Sequence, residues 1–122
     1  MTSAREILRG DVWWISPDDD PAAAPHHPHP HVVLQDDLFN RSRIPTVVVC
    51  ALTSNLRRAD EPGNVLLDEG EGGLPRRSVV VVSQLSAVEK SRLGVRVGGL
   101  SEARVAQILA GLGMQQRSFF GR

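Results

Sequence analysis

Thr46-Val47-Val48-Val49-Cys50-Ala51-Leu52-Thr53 contains the longest uninterrupted apolar run of the chain. β-branched residues are enriched in strands, and a run of this length is shorter than most helices. Its apolar positions are consecutive instead of alternating, which is typical of a strand buried on both faces. We therefore predict a central strand here, either in a small closed barrel or covered by a second subunit.

Shorter apolar runs, separated by Gly, Pro, Asp and Asn, predict the remaining elements. The further predicted strands are Val12 to Ser16, His31 to Gln35, Asn64 to Leu67 and Ser78 to Ser83. One helical period follows the candidate N-cap Ser101 and is expected to end near Gly111 or Gly113. Weaker patterns predict single helical turns at Asp36 to Arg41 and at Glu89 to Leu93. The sequence thus predicts a mainly β, α+β domain with short helices and a C-terminal helix.

Length and composition limit the classes of protein. The 122 residues fit one domain spanning residues 1–122, and 14 basic against 14 acidic side chains give a net charge of zero. Because no global field attracts polyanions, any contact with nucleic acid requires a local basic patch. A single cysteine, Cys50, excludes an internal disulfide, and no secretory or membrane-spanning pattern is present. We expect a cytoplasmic protein.

Four histidines, His26, His27, His29 and His31, lie in or next to a proline-rich segment. Imidazole serves as a general base near neutral pH and as a metal ligand. His29 and His31 would point to the same side of an extended strand, but no third ligand is suitably spaced, so no metal or other cofactor is predicted. For His26 and His27 the composition favours a polar loop, whereas His29 and His31 abut a strand and are the better candidates.

Polar and basic residues cluster around the ends of the predicted strands. Thr53, Ser54 and Asn55 end the central strand, where such residues either face a ligand or bond to their own backbone to turn the chain. Loop arginines would form a basic patch if their loops converge, and would otherwise be solvated charges. These are Arg41, Arg43, Arg57, Arg58, Arg76 and Arg77. The adjacent Trp13 and Trp14 must face opposite ways in a strand, which leaves one for stacking or an interface.

Several segments of the chain follow one another in a characteristic order. They include Arg9-Gly10-Asp11-Val12-Trp13-Trp14, His31-Val32-Val33-Leu34-Gln35-Asp36-Asp37, Asn40-Arg41-Ser42, Leu52-Thr53-Ser54-Asn55-Leu56, Pro62-Gly63-Asn64 and Gly73-Leu74-Pro75. This order resembles the MazF/PemK family of toxin endoribonucleases. The resemblance extends from about Arg9 to the terminal helix. It implies an SH3-like β-barrel, a homodimer, and metal-independent, sequence-specific cleavage of single-stranded RNA or mRNA. It also implies inhibition by a cognate antitoxin protein.

The same resemblance implies a catalytic pair, an arginine in an Arg-Pro-Val pattern and the threonine of a Leu-Thr-Ser segment. Thr53 supplies the threonine, but His29-Pro30-His31 stands where Arg-Pro-Val is expected. We therefore predict that His29 or His31 acts as general base or acid, that Thr53 donates to a phosphate oxygen, and that a loop arginine supplies positive charge. The predicted RNA-binding residues are Arg41, Arg43, Ser54, Asn55, Arg57, Arg58, Arg76, Arg77 and Gln84.

Two alternatives follow from the same residues. Because the expected arginine is missing, the chain would alternatively be a weakened family member that binds RNA or a protein target, such as gyrase, without cleavage. The histidine-rich segment would alternatively make it a metal-responsive binding module, whose melting temperature depends on zinc.

Overall fold

The computed structural model describes residues 5–16 and 29–120, with side chains as far as Arg117. Its six strands are β1 (Asp11–Ile15), β2 (His29–Val33), β3 (Thr46–Thr53), β4 (Val65–Leu67), β5 (Ser78–Glu89) and β6 (Leu93–Gly99). The helices are α1 (Asp37–Asn40) and α2 (Glu102–Phe120), and short 3-10 turns span Leu56–Asp60, Glu71–Gly73 and Lys90–Arg92. These elements confirm the predicted mainly β fold with short helices and a C-terminal helix.

The strands form one antiparallel sheet in the order β4-β5-β3-β2-β1-β6. Within the described residues β4 and β6 are not paired with each other, so the sheet is open and the predicted closed barrel is corrected in this detail. The turn Glu71–Gly73 lies against β6 instead, so closely that a Cβ on Gly98 would lie 2.6 Å from the Gly72 carbonyl oxygen. Irregular registers between β1 and β6 and between β3 and β5 add local bends.

Apolar side chains are buried on both faces of the sheet, as the valine runs predict. One core includes Val32, Cys50 and Val80 together with Ile108 from α2. The other core contains Trp13, Ile15, Val33, Val49 and Leu93, with Ile7 of the N-terminal segment packed among them. Helix α2 and the N-terminal segment of the same chain therefore supply part of the cover on each face.

The only cysteine is part of the first core and is chemically quiet. The Cys50 Sγ lies 2.8 Å from the Val81 carbonyl oxygen, to which its S–H donates. Burial raises the pKa of the Cys50 thiol to about 12. The thiol therefore stays protonated near neutral pH and is a poor nucleophile.

Three predictions about element bounds need correction, and one strand was not predicted. Strand β2 starts at His29 and ends before Gln35, β5 continues to Glu89 instead of ending at Ser83, and β6 was not predicted. Helix α2 does not end at Gly111 or Gly113. A Cβ at Gly111 would collide with the Gly63 carbonyl oxygen, so this glycine permits close packing of the helix instead of capping it.

The remaining element predictions hold. Strand β3 has the predicted bounds, and the two predicted helical turns correspond to α1 and to the turn Lys90–Arg92. Trp13 is buried while Trp14 remains partly exposed, as their alternation along β1 requires. In the described part of the chain no helix is sufficiently long and apolar to span a lipid bilayer.

Candidate active site

An open cleft of about 420 Å³ lies where β2, the end of β3 and the segment before β5 meet. Its walls include Trp14 and Pro30 on one side, and Leu74 and Pro75 on the other. Three side chains able to transfer protons, donate hydrogen bonds or stabilise negative charge line the same cleft: His29, Thr53 and Arg76. The cleft therefore combines an imidazole, a hydroxyl and a guanidinium against partly apolar walls.

Strand pairing explains why His29 and Thr53 share this cleft. The antiparallel register of β2 and β3 pairs His31 with Ala51, and Val32 with Cys50. Continuing that register by two positions sets His29 opposite Thr53. Directly opposed residues in an antiparallel pair have Cβ atoms about 4.5–5.5 Å apart, so side chains at these positions reach one common small group.

The Thr53 hydroxyl is oriented by the turn that follows β3. Its Oγ1 accepts a hydrogen bond of 3.1 Å from the backbone N–H of Asn55. Within the described residues, no acceptor takes the hydroxyl proton of Thr53. A threonine held in this way has a free O–H that can donate to a bound anion.

Arg76 reaches the cleft from the segment between β4 and β5. Leu74 is buried in the core, and Ser78 begins β5, so both ends of the short stretch carrying Arg76 are fixed. Arg76 itself is exposed, and no carboxylate of the described chain pairs with its guanidinium. Its charge is available to a ligand.

His31 lies next to the cleft but is not part of its wall. Its Nδ1 is 3.0 Å from the carbonyl oxygen of His29, which only accepts, so the proton is assigned to Nδ1. Burial lowers the pKa of His31, the His29 contact opposes that shift, and the nearby charges of His29 and Arg92 reinforce it. His31 is therefore placed to support the backbone of His29.

Comparison with known proteins identifies the fold and the family. Residues 8–115 match the family model of the PemK-like, MazF-like toxins of type II toxin-antitoxin systems. The chain belongs to this family. Endoribonuclease MazF6 of Mycobacterium tuberculosis is 34% identical over 106 residues, which cover 87% of this chain and 93% of the relative. Endoribonuclease EndoA of Bacillus subtilis is 28% identical over 102 residues, covering 84% and 87% of the two chains.

Solved structures of MazF-like toxins share the fold. A MazE-MazF structure from Deinococcus radiodurans aligns with a TM-score of 0.77 at 17% identity, covering 93% of this chain and 97% of the other. A mycobacterial endoribonuclease in complex with its cognate antitoxin aligns with a TM-score of 0.69 at 19% identity, covering 91% and 93%. The match includes nearly the whole chain.

The other predicted site residues of this MazF-like toxin occupy different surroundings. Ser54 lines the cleft, whereas Asn55 uses its side-chain oxygen to accept from the Arg57 backbone N–H at 3.2 Å. Asn55 thus has the turn-forming role that was the alternative to ligand contact. Arg58 donates to Glu61 in three hydrogen bonds, from Nε at 2.9 and 3.2 Å and from Nη2 at 3.0 Å, which partly neutralise its charge.

The predicted arginine loops do not all converge. Arg57 follows β3 and Arg77 precedes β5, both exposed, and Gln84 lies in the exposed second half of β5. Arg41 and Arg43 precede β3, at the opposite end of a strand about 23 Å long. The structure thus separates these two arginines from the cleft.

The cleft wall is partly apolar, and the described residues do not assemble the predicted histidines into a metal site. Trp14, Leu52 and Pro75 form apolar parts of the wall, and the sequence predicts a stacking or interface role only for one of the two tryptophans, without choosing between Trp13 and Trp14. His26 and His27 lie outside the described residues. Among residues 5–16 and 29–120, no group of three or more His, Cys, Asp or Glu side chains is arranged to hold a metal ion.

Proposed function

We propose that this MazF-like toxin cleaves single-stranded RNA, including mRNA, in the cleft lined by His29, Thr53 and Arg76. The observation that carries this proposal is that all three side chains face one open space. Cleavage by attack of the ribose 2'-hydroxyl needs a proton acceptor, a proton donor and stabilisation of the phosphorane charge. In the cleft, His29 is the candidate for accepting and returning the proton, and Thr53 and Arg76 are the candidates for stabilising the charge.

The reaction is an internal transfer that needs no metal. His29 accepts the proton of the 2'-hydroxyl, and the 2'-oxygen forms a bond to phosphorus. The bond from phosphorus to the 5'-oxygen breaks, and a proton from the imidazolium or from water neutralises the departing oxygen. The products are a 2',3'-cyclic phosphate, or its opened form, and a 5'-hydroxyl end. Acid-base catalysis of this kind typically contributes about 10²- to 10⁴-fold.

Thr53 and Arg76 stabilise the charge that develops on phosphorus. The Thr53 hydroxyl, oriented by Asn55, donates to a non-bridging oxygen. Arg76 brings a permanent positive charge, because guanidinium does not deprotonate near neutral pH. Arg76 thus supplies the charge that the family resemblance assigns to an arginine at the position of His29.

The bases flanking the cleavage site would be recognised along the exposed rim of the cleft. Ser54, Arg57, Arg77 and Gln84 are exposed there or on the adjoining strand and turn. Asn55 and Arg58 form hydrogen bonds with Arg57 and Glu61 of the same chain, so we assign them to stabilising the turn Leu56–Asp60 instead of contacting bases. Base reading in single strands relies on such stacking and edge contacts, and Trp14 offers a partly exposed ring for stacking.

The proposed assembly is a cytoplasmic homodimer inhibited by an antitoxin. Val95 on the edge strand β6 is 70% exposed, and Leu85 on β5 is 38% exposed, so apolar surface is available for a partner. The antitoxin would lay an acidic segment over the arginine-bearing groove and imitate the RNA backbone. Such binding should weaken as salt concentration rises.

End mapping of cleaved RNA tests the proposed function. The purified protein is incubated with a long single-stranded RNA in EDTA, and new 5' ends are mapped with and without prior phosphorylation. We expect discrete cuts that carry 5'-hydroxyl ends. Intact RNA would contradict the proposal and favour a binding protein without nuclease activity. Cutting that EDTA abolishes would contradict the metal-independent reaction.

A further inference from the structure

A second cleft lies at the other end of β3. It has a volume of about 460 Å³ and is formed by the N-terminal segment, the loop after α1 and the turn Lys90–Arg92. Four basic side chains line it, Arg5, Arg41, Arg43 and Lys90, against one acidic side chain, Glu6. In a chain whose net charge is zero, this is a strong local excess of positive charge.

Two of these cations are held in place by neutral partners. Arg5 donates from Nη1 to the Gly94 carbonyl oxygen at 2.9 Å, and its guanidinium lies 5.3 Å from the Trp13 ring centre. The Lys90 Nζ donates to the carbonyl oxygens of Asn40 and Ser42, both at 3.0 Å. Carbonyl and aromatic groups fix these side chains without cancelling their charge, and Lys90 keeps a third N–H for a ligand.

The other two cations are exposed and available. Arg41 and Arg43 have exposed side chains, and neither pairs with a carboxylate within the described residues. The nearby Asp37 carboxylate accepts through Oδ1 from the Arg9 backbone N–H at 2.7 Å and from Asn40 at 3.2 Å, and its negative charge offsets part of the charge of Arg41. Two fixed and two adaptable cations therefore converge on one open space, which suits a phosphate backbone.

We propose that this second cleft binds backbone phosphates of the same RNA that is cut in the first cleft. This inference rests on the proposed function. Because β3 separates the two clefts by about 23 Å, they contact different phosphates of one strand. Long RNA engages both clefts and short RNA only the first. The second cleft thus strengthens binding of long RNA without taking part in the chemistry.

The test compares RNA of two lengths around one cleavage site mapped in a long RNA. The substrates are oligonucleotides of about 6 and about 24 nucleotides, since single-strand binding sites commonly span several nucleotides. The variants are Arg41→Gln/Arg43→Gln, the charge-preserving Arg41→Lys/Arg43→Lys, and the single control Arg117→Gln. Arg117 is an exposed arginine near the end of α2 whose one hydrogen bond among the described residues is to the Gly113 carbonyl of the same helix.

We expect the double glutamine variant to lose about five- to twentyfold in kcat/KM on the long RNA, mainly through KM, with the short RNA unaffected. The salt dependence of long-RNA binding should become shallower, and the lysine variant should retain most of the affinity. Equal effects on both lengths, no effect on either, or the same loss in Arg117→Gln would overturn the proposal. Weaker antitoxin binding with unchanged RNA binding would also overturn it, and would assign the cleft to a protein.

Cleavage of RNA by the unmodified protein distinguishes failure of the proposed function from failure of this inference. If it cuts neither RNA, the nuclease assignment fails, while fluorescence anisotropy with the long RNA still tests the second cleft. Unchanged affinity of the double glutamine variant for that RNA would then contradict the inference. A reduced affinity with a shallower salt dependence would support it.

Discussion

Arg104 on α2 and Glu71 in the turn before β5 are joined by two parallel contacts of 2.9 Å, from Nε to Oε1 and from Nη2 to Oε2. Glu71 also accepts from the Asp68 backbone N–H at 2.6 Å. The segment held by this pair continues through buried Leu74 to Arg76 in the candidate active site. The C-terminal helix thereby fixes the base of the loop that carries Arg76.

Replacing Glu71 with Gln should loosen this loop. We expect a loss of about 0.5–1 kcal/mol in the free energy of unfolding, as for a partly exposed ion pair, and a higher KM for RNA. Thermal melting and steady-state kinetics measure the two effects. Glu69→Gln is the matched control, because Glu69 is exposed and has no bonded partner in the described part of the chain. Equal behaviour of the two variants would contradict the positioning role.

The same pair predicts a dependence of stability on acid. The hydrogen bonds from Arg104 lower the pKa of Glu71 below its ordinary value of 4.5. Its stabilising contribution is therefore complete above pH 4.5 and is lost as pH falls through the lowered pKa. Unfolding measured by denaturant between neutral pH and pH 3 should show a smaller decrease for Glu71→Gln than for the unmodified protein. Parallel curves would contradict this assignment.

Replacing Thr53 with Val removes the donor to phosphate while keeping the branched shape. Loss of one donor to a developing anion typically lowers kcat by about 10²- to 10³-fold, and we expect that range here. Thr53→Ser keeps the hydroxyl and the acceptor for Asn55, and should retain most activity. Single-turnover cleavage of RNA measures both. Comparable activity of the two variants would show that the hydroxyl is not used.

Arg76 and its neighbour Arg77 should have separable effects. Only Arg76 lines the cleft, so Arg76→Gln should lower kcat by about 10²-fold through lost charge stabilisation. Arg77→Gln should raise KM and leave kcat nearly unchanged. Steady-state kinetics with one RNA of known cleavage site distinguishes them. The reverse pattern would assign the catalytic charge to Arg77.

Burial of His31 predicts a loss of stability on mild acidification. Burial lowers the pKa of His31 from 6.5, so below that pH the unfolded chain takes up a proton more readily than the folded chain. Stability should thus decrease as pH falls from about 7.5 to 5.5. His31→Gln should show a smaller decrease in melting temperature over that range. An unchanged decrease would place the pH dependence elsewhere.

The sequence predicts β3 because its apolar residues form a continuous run. It predicts the presence of α2 because apolar residues recur there with the helical period of 3.6 residues. Strand β6 is not predicted from the sequence because three glycines interrupt its apolar residues. These glycines are needed for close contacts with other parts of the fold. Gly98 passes so near the turn Glu71–Gly73 that a side chain would not fit. The end of α2 was misplaced for the same kind of reason, since Gly111 packs against Gly63.

The site was only partly predictable. Thr53 and His29, which line the candidate active site, are predicted from the sequence because strand-end residues and a family resemblance point to them. No sequence signal distinguishes Arg76 from the other loop arginines, since convergence on a cleft depends on strand pairing and on the buried anchor Leu74. Likewise, the positive cleft is not predictable from the sequence, because Arg5, Arg43 and Lys90 are far apart in the chain and meet only in the folded protein.

The rate of RNA cleavage as a function of pH, measured under single-turnover conditions for the unmodified protein and for His29→Ala, tests the central claim most directly. If His29 accepts the proton of the 2'-hydroxyl in the cleft, the unmodified rate decreases toward acid pH, because a protonated imidazole cannot accept that proton. His29→Ala should then cleave RNA at least about 10²-fold more slowly, and its rate should no longer decrease toward acid pH. A His29→Ala variant with full activity and the same pH profile would contradict the account.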